Sequence, residues 1–107
     1  MQWMEFILML RRWPAKIINN MWTSNILRVP NIIWSKKHPT EKPEQLMKIM
    51  IENSTKEWEI VLDMFCWVGW TMVAAMNTNR KFIWCEISQE YVDIANKRLE
   101  TTTTSLF

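Results

Sequence analysis

The stretch Val61–Trp70, "VLDMFCWVGW", decides how this chain folds. Apolar residues lead to an acid, Asp63, and a short loop then opens onto "TMVAAMN" at 71–77, which reads as a helix. A strand that turns this tightly into a helix is a common way to bring backbone amides close to a nucleotide-type ligand. Such turns normally rely on several glycines, because the backbone approaches the ligand closely and can adopt positive φ. Here only Gly69 is glycine, and tryptophans stand at 67 and 70. Three readings are open at this point: a working site, a damaged one, or a core strand of similar outline.

The flanks give the turn its setting. "EIVLDMF" at 59–65 is a short apolar run rich in β-branched residues and reads as a buried strand. "KFIWCEI" at 81–87 is a second strand, reached through a turn at Asn77–Asn79. "SQEYVDIANKRLE" follows as a helix, with Ser88 at its cap, Glu90 near its positive end, and Val92, Ala95 and Leu99 inward. Strand, helix, strand and helix in this order make a βαβ unit, whose strands are parallel and whose crossover is right-handed. The fold class is therefore α/β.

In such a unit, ligands bind beyond the carboxyl ends of the strands. Asp63 and Glu86 both stand there, 23 residues apart. That spacing suits an acid at Glu86 accepting hydrogen bonds from a ribose diol. The simpler alternatives are a surface carboxylate at Glu86 and a turn-capping one at Asp63. Taken together the two acids favour a nucleoside-containing ligand.

Upstream, "EKPEQLMKIMIENS" carries Leu46, Met47, Met50 and Ile51 on one helical face. Pro43 suits the first turn of this helix, and Asn53 and Ser54 close it. Further back, "WMEFILML" at 3–10 reads as a strand and "RRWPAK" as a turn. "KIIN" at 16–19 would be the returning strand of an N-terminal hairpin. Residues 20–40 are loop-like apart from a short extended piece at Ile26–Val29, and "TTTTSLF" reads as a frayed tail.

The 107 residues amount to one domain or part of one. With 49% hydrophobic and 22% charged residues the composition is that of a globular domain. A net charge of +2 is too small to argue for nucleic acid by itself, although Arg11, Arg12, Lys16, Arg28, Lys36, Lys37 and Lys42 all lie in the first half. Solvated loop ends explain these equally well. Cys66 and Cys85 make no metal signature with the single His38, and read as reduced thiols. The opening lacks a basic n-region and a small-residue cleavage site, and no apolar run approaches a membrane span. The expectation is a cytoplasmic protein without a membrane partner. One glycine is far below the roughly seven or eight of average usage, so turns needing positive φ fall to Asn or are strained.

The segments "HPTEKPEQLMKIMIENS", "VLDMFCWVGWTMVAA" and "RKFIWCEISQEYVDIANKRLE", within residues 38–100, resemble the C-terminal part of DNA amino-methyltransferases. That family uses S-adenosylmethionine (SAM) to methylate adenine N6 or cytosine N4. Its usual pattern is H-P-T-x-K-P, a helix, D-P-F-x-G-S-G-T-T, and a strand ending in an acid. The resemblance implies a partial Rossmann-like methyltransferase fold, a DNA partner and SAM as cofactor. It divides the chain into a hairpin and loop at 1–37, a SAM-binding βαβα segment at 38–100 and a tail at 101–107. It also implies that Thr40, Lys42 and Pro43 line the methionine end of the cofactor site. Asp63, Phe65 and Gly69 would form the turn beneath the cofactor, with Trp67 in a glycine's place, and Glu86 would hold the ribose hydroxyls. His38 is expected to fix its segment rather than to act as an acid or base.

Two departures stand out. The family's catalytic loop, an acid or amide followed by Pro-Pro and an aromatic, grips a flipped base, and no Pro-Pro occurs here. In the family order this chain resembles, that loop precedes H-P-T-x-K-P. The expectation is that the chain alone methylates nothing, with the loop and the recognition region either on a second polypeptide or on the rest of a longer gene from which this chain is truncated. The other departure is the turn itself, with Met64 for proline, Trp67 for glycine, and Val68 and Trp70 for small hydroxyl residues. Trp67 would either block the cofactor cleft or strain the loop by about 1–3 kcal/mol; stacking of Trp67 or Trp84 on the adenine is a third possibility. Trp58 and Trp84 also replace common glycines. A UGA codon that means glycine but is read as tryptophan would give this pattern without explaining Met64 or Val68. UGG codons at 58, 67 and 84 would exclude it.

The competing functions are the cofactor-binding part of a methyltransferase, a non-catalytic remnant of one, and a nucleic-acid- or protein-binding module. Cofactor affinity separates the first two. DNA affinity with a steep salt dependence and no cofactor affinity would mark the third.

Overall fold

The computed structural model describes residues 6–10, 12, 14, 18–20, 24, 26–29 and 43–105. Five elements follow in order: α1 (Glu44–Ser54), β1 (Ile60–Asp63), α2 (Trp70–Asn77), β2 (Lys81–Trp84) and α3 (Gln89–Ser105). The two strands pair in parallel, from Ile60 opposite Lys81 to Asp63 opposite Trp84. This is the βαβ unit expected from the sequence, followed by its second helix.

Alternation along each strand sorts the sheet into two faces. Val61, Phe82 and Trp84 pack towards the helices. The core there consists of Ile51, Ala74 and Ala75 on one side and Cys66, Met72 and Ala95 on the other. The centre of α2 is buried from Met72 to Ala75, and the two alanines let it lie close to its neighbours. The opposite face of the sheet is bare, with Ile60 and Leu62 each 59% exposed and Ile83 55% exposed.

α1 begins after Pro43, whose extended backbone precedes the first turn and whose carbonyl accepts the Leu46 and Met47 N–H groups. Glu44 sits in the first turn, where a negative charge opposes the helix dipole favourably, and its carboxylate accepts Asn77 Nδ2 at 2.8 Å. At the other end, the orphan carbonyls of α1 find partners far away in the chain. Asn19 donates its backbone N–H to Asn53 and its Nδ2 to the Glu52 and Thr55 carbonyls. Arg80 adds a clamp, donating to Thr55 Oγ1 and to the Thr55 and Thr78 carbonyls, and so joins the ends of α1 and α2.

Several local expectations change. Residues 6–10, the described part of the first expected strand, are exposed and belong to no strand. The returning strand at 16–19 is described only at Ile18 and Asn19, and Asn19 serves as a cap for α1 rather than as a hairpin partner. Ile26–Val29 is described and is not a strand. At the other end, α3 continues through the expected tail to Ser105. Thr101, Thr102 and Thr103 each turn a hydroxyl onto the carbonyl four residues back, which lets the polar run stay helical.

The shortage of glycine is visible in the backbone. Among the described residues, four other than glycine have positive φ: Asn20, Trp58, Trp67 and Asn79. Asparagine tolerates the left-handed region; tryptophan does not do so readily. Trp84, the third expected glycine replacement, lies in β2 and packs against the Cys66–Met72–Ala95 cluster. It is half-buried there, with its indole against that cluster. Among the described residues no helix is long and apolar enough to cross a membrane.

Candidate functional site

The site is built where β1 ends. Asp63 opens the turn by accepting the Phe65 N–H on Oδ1 at 3.0 Å, so it takes the turn-capping role. The Cys85 N–H donates to the Asp63 carbonyl, and the Cys66 N–H to the Cys85 carbonyl, which continues the parallel ladder one step past the strands. The Gly69 N–H then closes the turn on the Cys66 carbonyl at 3.0 Å, and the Gly69 carbonyl accepts the Val73 N–H as α2 begins.

Glu86 is the organising side chain. Its Oε2 accepts the Trp67 N–H at 2.9 Å and its Oε1 accepts the Ser88 N–H at 2.9 Å. One carboxylate thus ties the glycine-type turn to the loop that starts α3. A carboxylate has about four acceptor positions, so each oxygen of Glu86 keeps room for a further donor. Phe65, 79% exposed, and Ile87, fully exposed, neighbour these two anchors in the chain and leave apolar surface open at the carboxyl end of the sheet.

Gly69 is where α3 meets the turn. Its φ is +90°, and a Cβ there would lie 2.9 Å from Met72 Cε and 3.2 Å and 3.3 Å from Cβ and Cα of Ala95. Trp67 has φ +50° and is half-buried, so the strain expected from an indole at a glycine position is present in the backbone. Arg98 reaches the same turn from α3, donating Nη1 to the Val68 carbonyl at 2.7 Å with its guanidinium 3.9 Å from the centre of the Trp70 ring.

Of the site residues expected from sequence, the structure gathers Asp63, Phe65, Trp67, Gly69 and Glu86 around one turn. Pro43 precedes α1, and Thr40 and Lys42, like His38, lie outside the described residues. Of the basic residues in the first half, Arg12 and Arg28 are described, and both are exposed. Sequence reading missed Arg98 and Ser88 as turn contacts. The signal for Arg98 was available: it follows the inward Ala95 by three residues and so shares its helical face.

Beneath the turn, burial pushes the Cys66 thiol up to about 12, with the negative charges of Asp63 and Glu86 adding to the effect. The thiol therefore stays protonated in the fold while an unfolded chain would ionise it near pH 9. Above that pH the unfolded state binds fewer protons, so stability is expected to fall between about pH 9 and 12. Urea midpoints measured at pH 7, 9 and 10.5 check this, and Cys66→Ser should flatten the alkaline decline. Cys85 is exposed whereas Cys66 is buried, so iodoacetamide at neutral pH should label the former first.

Comparison with known proteins bears on this geometry. The family model described as "DNA methylase" matches residues 10–97. The chain is 41% identical to the type II methyltransferase M2.DpnII of Streptococcus pneumoniae over 86 residues, covering 80% of this chain and 32% of the relative. It is 39% identical to M2.LlaDCHI of Lactococcus lactis subsp. cremoris over 90 residues, covering 84% of this chain and 33% of the relative. Among solved structures, the M1.HpyAVI–SAM complex superposes with a TM-score of 0.66 at 37% identity, over 79% of this chain and 45% of that one. The chain spans about a third of the length of the curated relatives it matches.

Proposed function

Because the chain belongs to the DNA methylases that modify adenine N6 or cytosine N4, we propose that residues 38–100 form the cofactor-binding segment of such an enzyme. The observation that carries this reading is Glu86, whose carboxylate joins the turn amide of Trp67 to the start of α3 at the carboxyl end of β2. An acid held there has spare acceptor positions for the two ribose hydroxyls of SAM. The exposed Phe65 and Ile87 offer apolar surface to the adenine ring. Thr40, Lys42 and Pro43 complete the methionine end in this assignment. Bound SAM supplies an electrophilic methyl group on a sulfonium centre. The chain's own residues bind and orient the cofactor and exclude water from its adenosine end.

DNA is the substrate on this reading, and a separate part of the methyltransferase carries the Pro-Pro loop and the recognition region. The bare sheet face supports that arrangement. Parallel strands are normally covered on both faces, yet Ile60, Leu62 and Ile83 are open to solvent. A polypeptide that completes the fold would cover them and add strands to the open sheet edges.

A transfer assay tests the proposal. With tritiated SAM and duplex DNA, the chain alone should incorporate no methyl label. Mixed with a polypeptide supplying the loop and recognition region, it should support incorporation that is lost when Leu62→Asp places a charge on the sheet face. Incorporation by the chain alone, or by the complementing polypeptide without it, would contradict the assignment. A second reading, a folded remnant without cofactor affinity, is favoured by one observation, the left-handed backbone at Trp67. It predicts no incorporation in either mixture.

A further inference from the structure

We propose that Arg98 is a positioning residue for the cofactor turn, locking the orientation of the single peptide plane between Val68 and Gly69; this rests on the reading of that turn as the cofactor site. A peptide unit is rigid and planar, so its carbonyl and its N–H point in opposite directions and move together. In this plane both ends are held. The Val68 carbonyl accepts Arg98 Nη1 at 2.7 Å, and the Gly69 N–H donates to the Cys66 carbonyl at 3.0 Å. Rotating the plane would break both bonds and change φ of Gly69, which at +90° already lies where only glycine is comfortable.

Arg98 is itself held. Its guanidinium lies over the Trp70 ring at 3.9 Å, a favourable place for a planar cation, and Ala95, one turn earlier on α3, touches the position of Gly69. The Cys66 carbonyl that receives the Gly69 N–H shares its own peptide plane with the Trp67 N–H that Glu86 accepts. The lock on the 68–69 plane therefore fixes where the neighbouring amide points, and so where the Glu86 carboxylate rests. α3 is tied in this way to the cofactor crevice through a residue that does not itself reach the crevice. Trp70, odd for this turn by family pattern, gains a role as the platform for Arg98.

The test is hydrogen exchange read by NMR, with the Cys85 N–H, bonded to the Asp63 carbonyl, as internal reference. In Arg98→Ala the Gly69 amide should exchange about tenfold faster relative to Cys85, since a charge-assisted bond and a stacked cation are lost together. Arg98→Lys keeps a cation and a donor but not the flat stack, and should recover part of the protection. In the Trp67→Gly chain, Arg98→Ala should weaken S-adenosylhomocysteine binding about tenfold under conditions where circular dichroism shows the variant folded, and Arg98→Lys should restore part of that affinity. Unchanged relative exchange at Gly69 in both variants would overturn the lock. Faster exchange with unchanged S-adenosylhomocysteine affinity would overturn the positioning role. Absence of S-adenosylhomocysteine binding in every variant, the Trp67→Gly parent included, would remove the cofactor reading and leave the Gly69 exchange to decide on the lock alone.

Discussion

Gly69→Ala is expected to destabilise the fold by about 2–4 kcal/mol, from an unfavourable backbone region and overpacking together. At φ +90° an L-residue is strained whatever space surrounds it. Space is also lacking. Met72 Cε, 2.9 Å from the added Cβ, is the end of a flexible side chain and can move aside, but Ala95 Cβ at 3.2 Å and Cα at 3.3 Å cannot. The methyl group would lever α3 off the turn and take the Arg98–Val68 bond with it. Urea unfolding followed by far-ultraviolet circular dichroism checks this. A midpoint equal to that of the unmodified chain would mean that α3 does not pack as described.

Trp67→Gly is expected to change binding far more than stability. It relieves a left-handed tryptophan, worth about 1–2 kcal/mol. Against that, glycine adds unfolded-state entropy of about 0.5–1 kcal/mol, and the half-buried indole gives up apolar contact. The terms nearly cancel, so the urea midpoint should stay close to that of the parent. Trp58→Gly provides the contrast. Trp58 also has positive φ but is 66% exposed, so little packing is lost and a modest gain in stability is expected. For binding, no cancellation applies. Replacing the indole at a position where the family has glycine should strengthen S-adenosylhomocysteine affinity at least about tenfold, the equivalent of roughly 1.4 kcal/mol. Fluorescence titration of the parent and the variant reads the difference. Tight binding by the parent would refute the steric objection to Trp67.

Much of this molecule is legible in its sequence, and the rest fails for identifiable reasons. The βαβ order is readable because "IVLD" and "KFIW" alternate between inward and outward side chains and "TMVAAM" is apolar enough to be buried all round. Glu86 is readable from its place after the second strand. The two tryptophans at 58 and 67 are legible as strained because they stand where glycine is usual, and both have positive φ. Trp84 shares the sequence argument but not the backbone, because a strand asks nothing of glycine and the half-buried indole packs against the core cluster. A UGA codon decoded as glycine would remove the strain at 58 and 67 while opening a gap beside Met72 at 84. The polar run Thr101–Thr104 hides a helical continuation, since hydroxyl bonds to preceding carbonyls are invisible to hydrophobic periodicity. Asn19 and Arg80 are illegible for a different reason: the α1 carbonyls and Thr55 that they hold lie 25 or more residues away in the chain.

The central claim is that the turn from Asp63 to Gly69 and the acid Glu86 form one cofactor site. Amide chemical shifts of the Trp67→Gly chain, titrated with S-adenosylhomocysteine, test it most directly. The predicted result is a set of saturable shifts centred on residues 63–69 and 86–88, joined by Thr40 and Lys42 at the methionine end, and abolished by Glu86→Ala. Shifts centred elsewhere, or binding that survives Glu86→Ala undiminished, would contradict it.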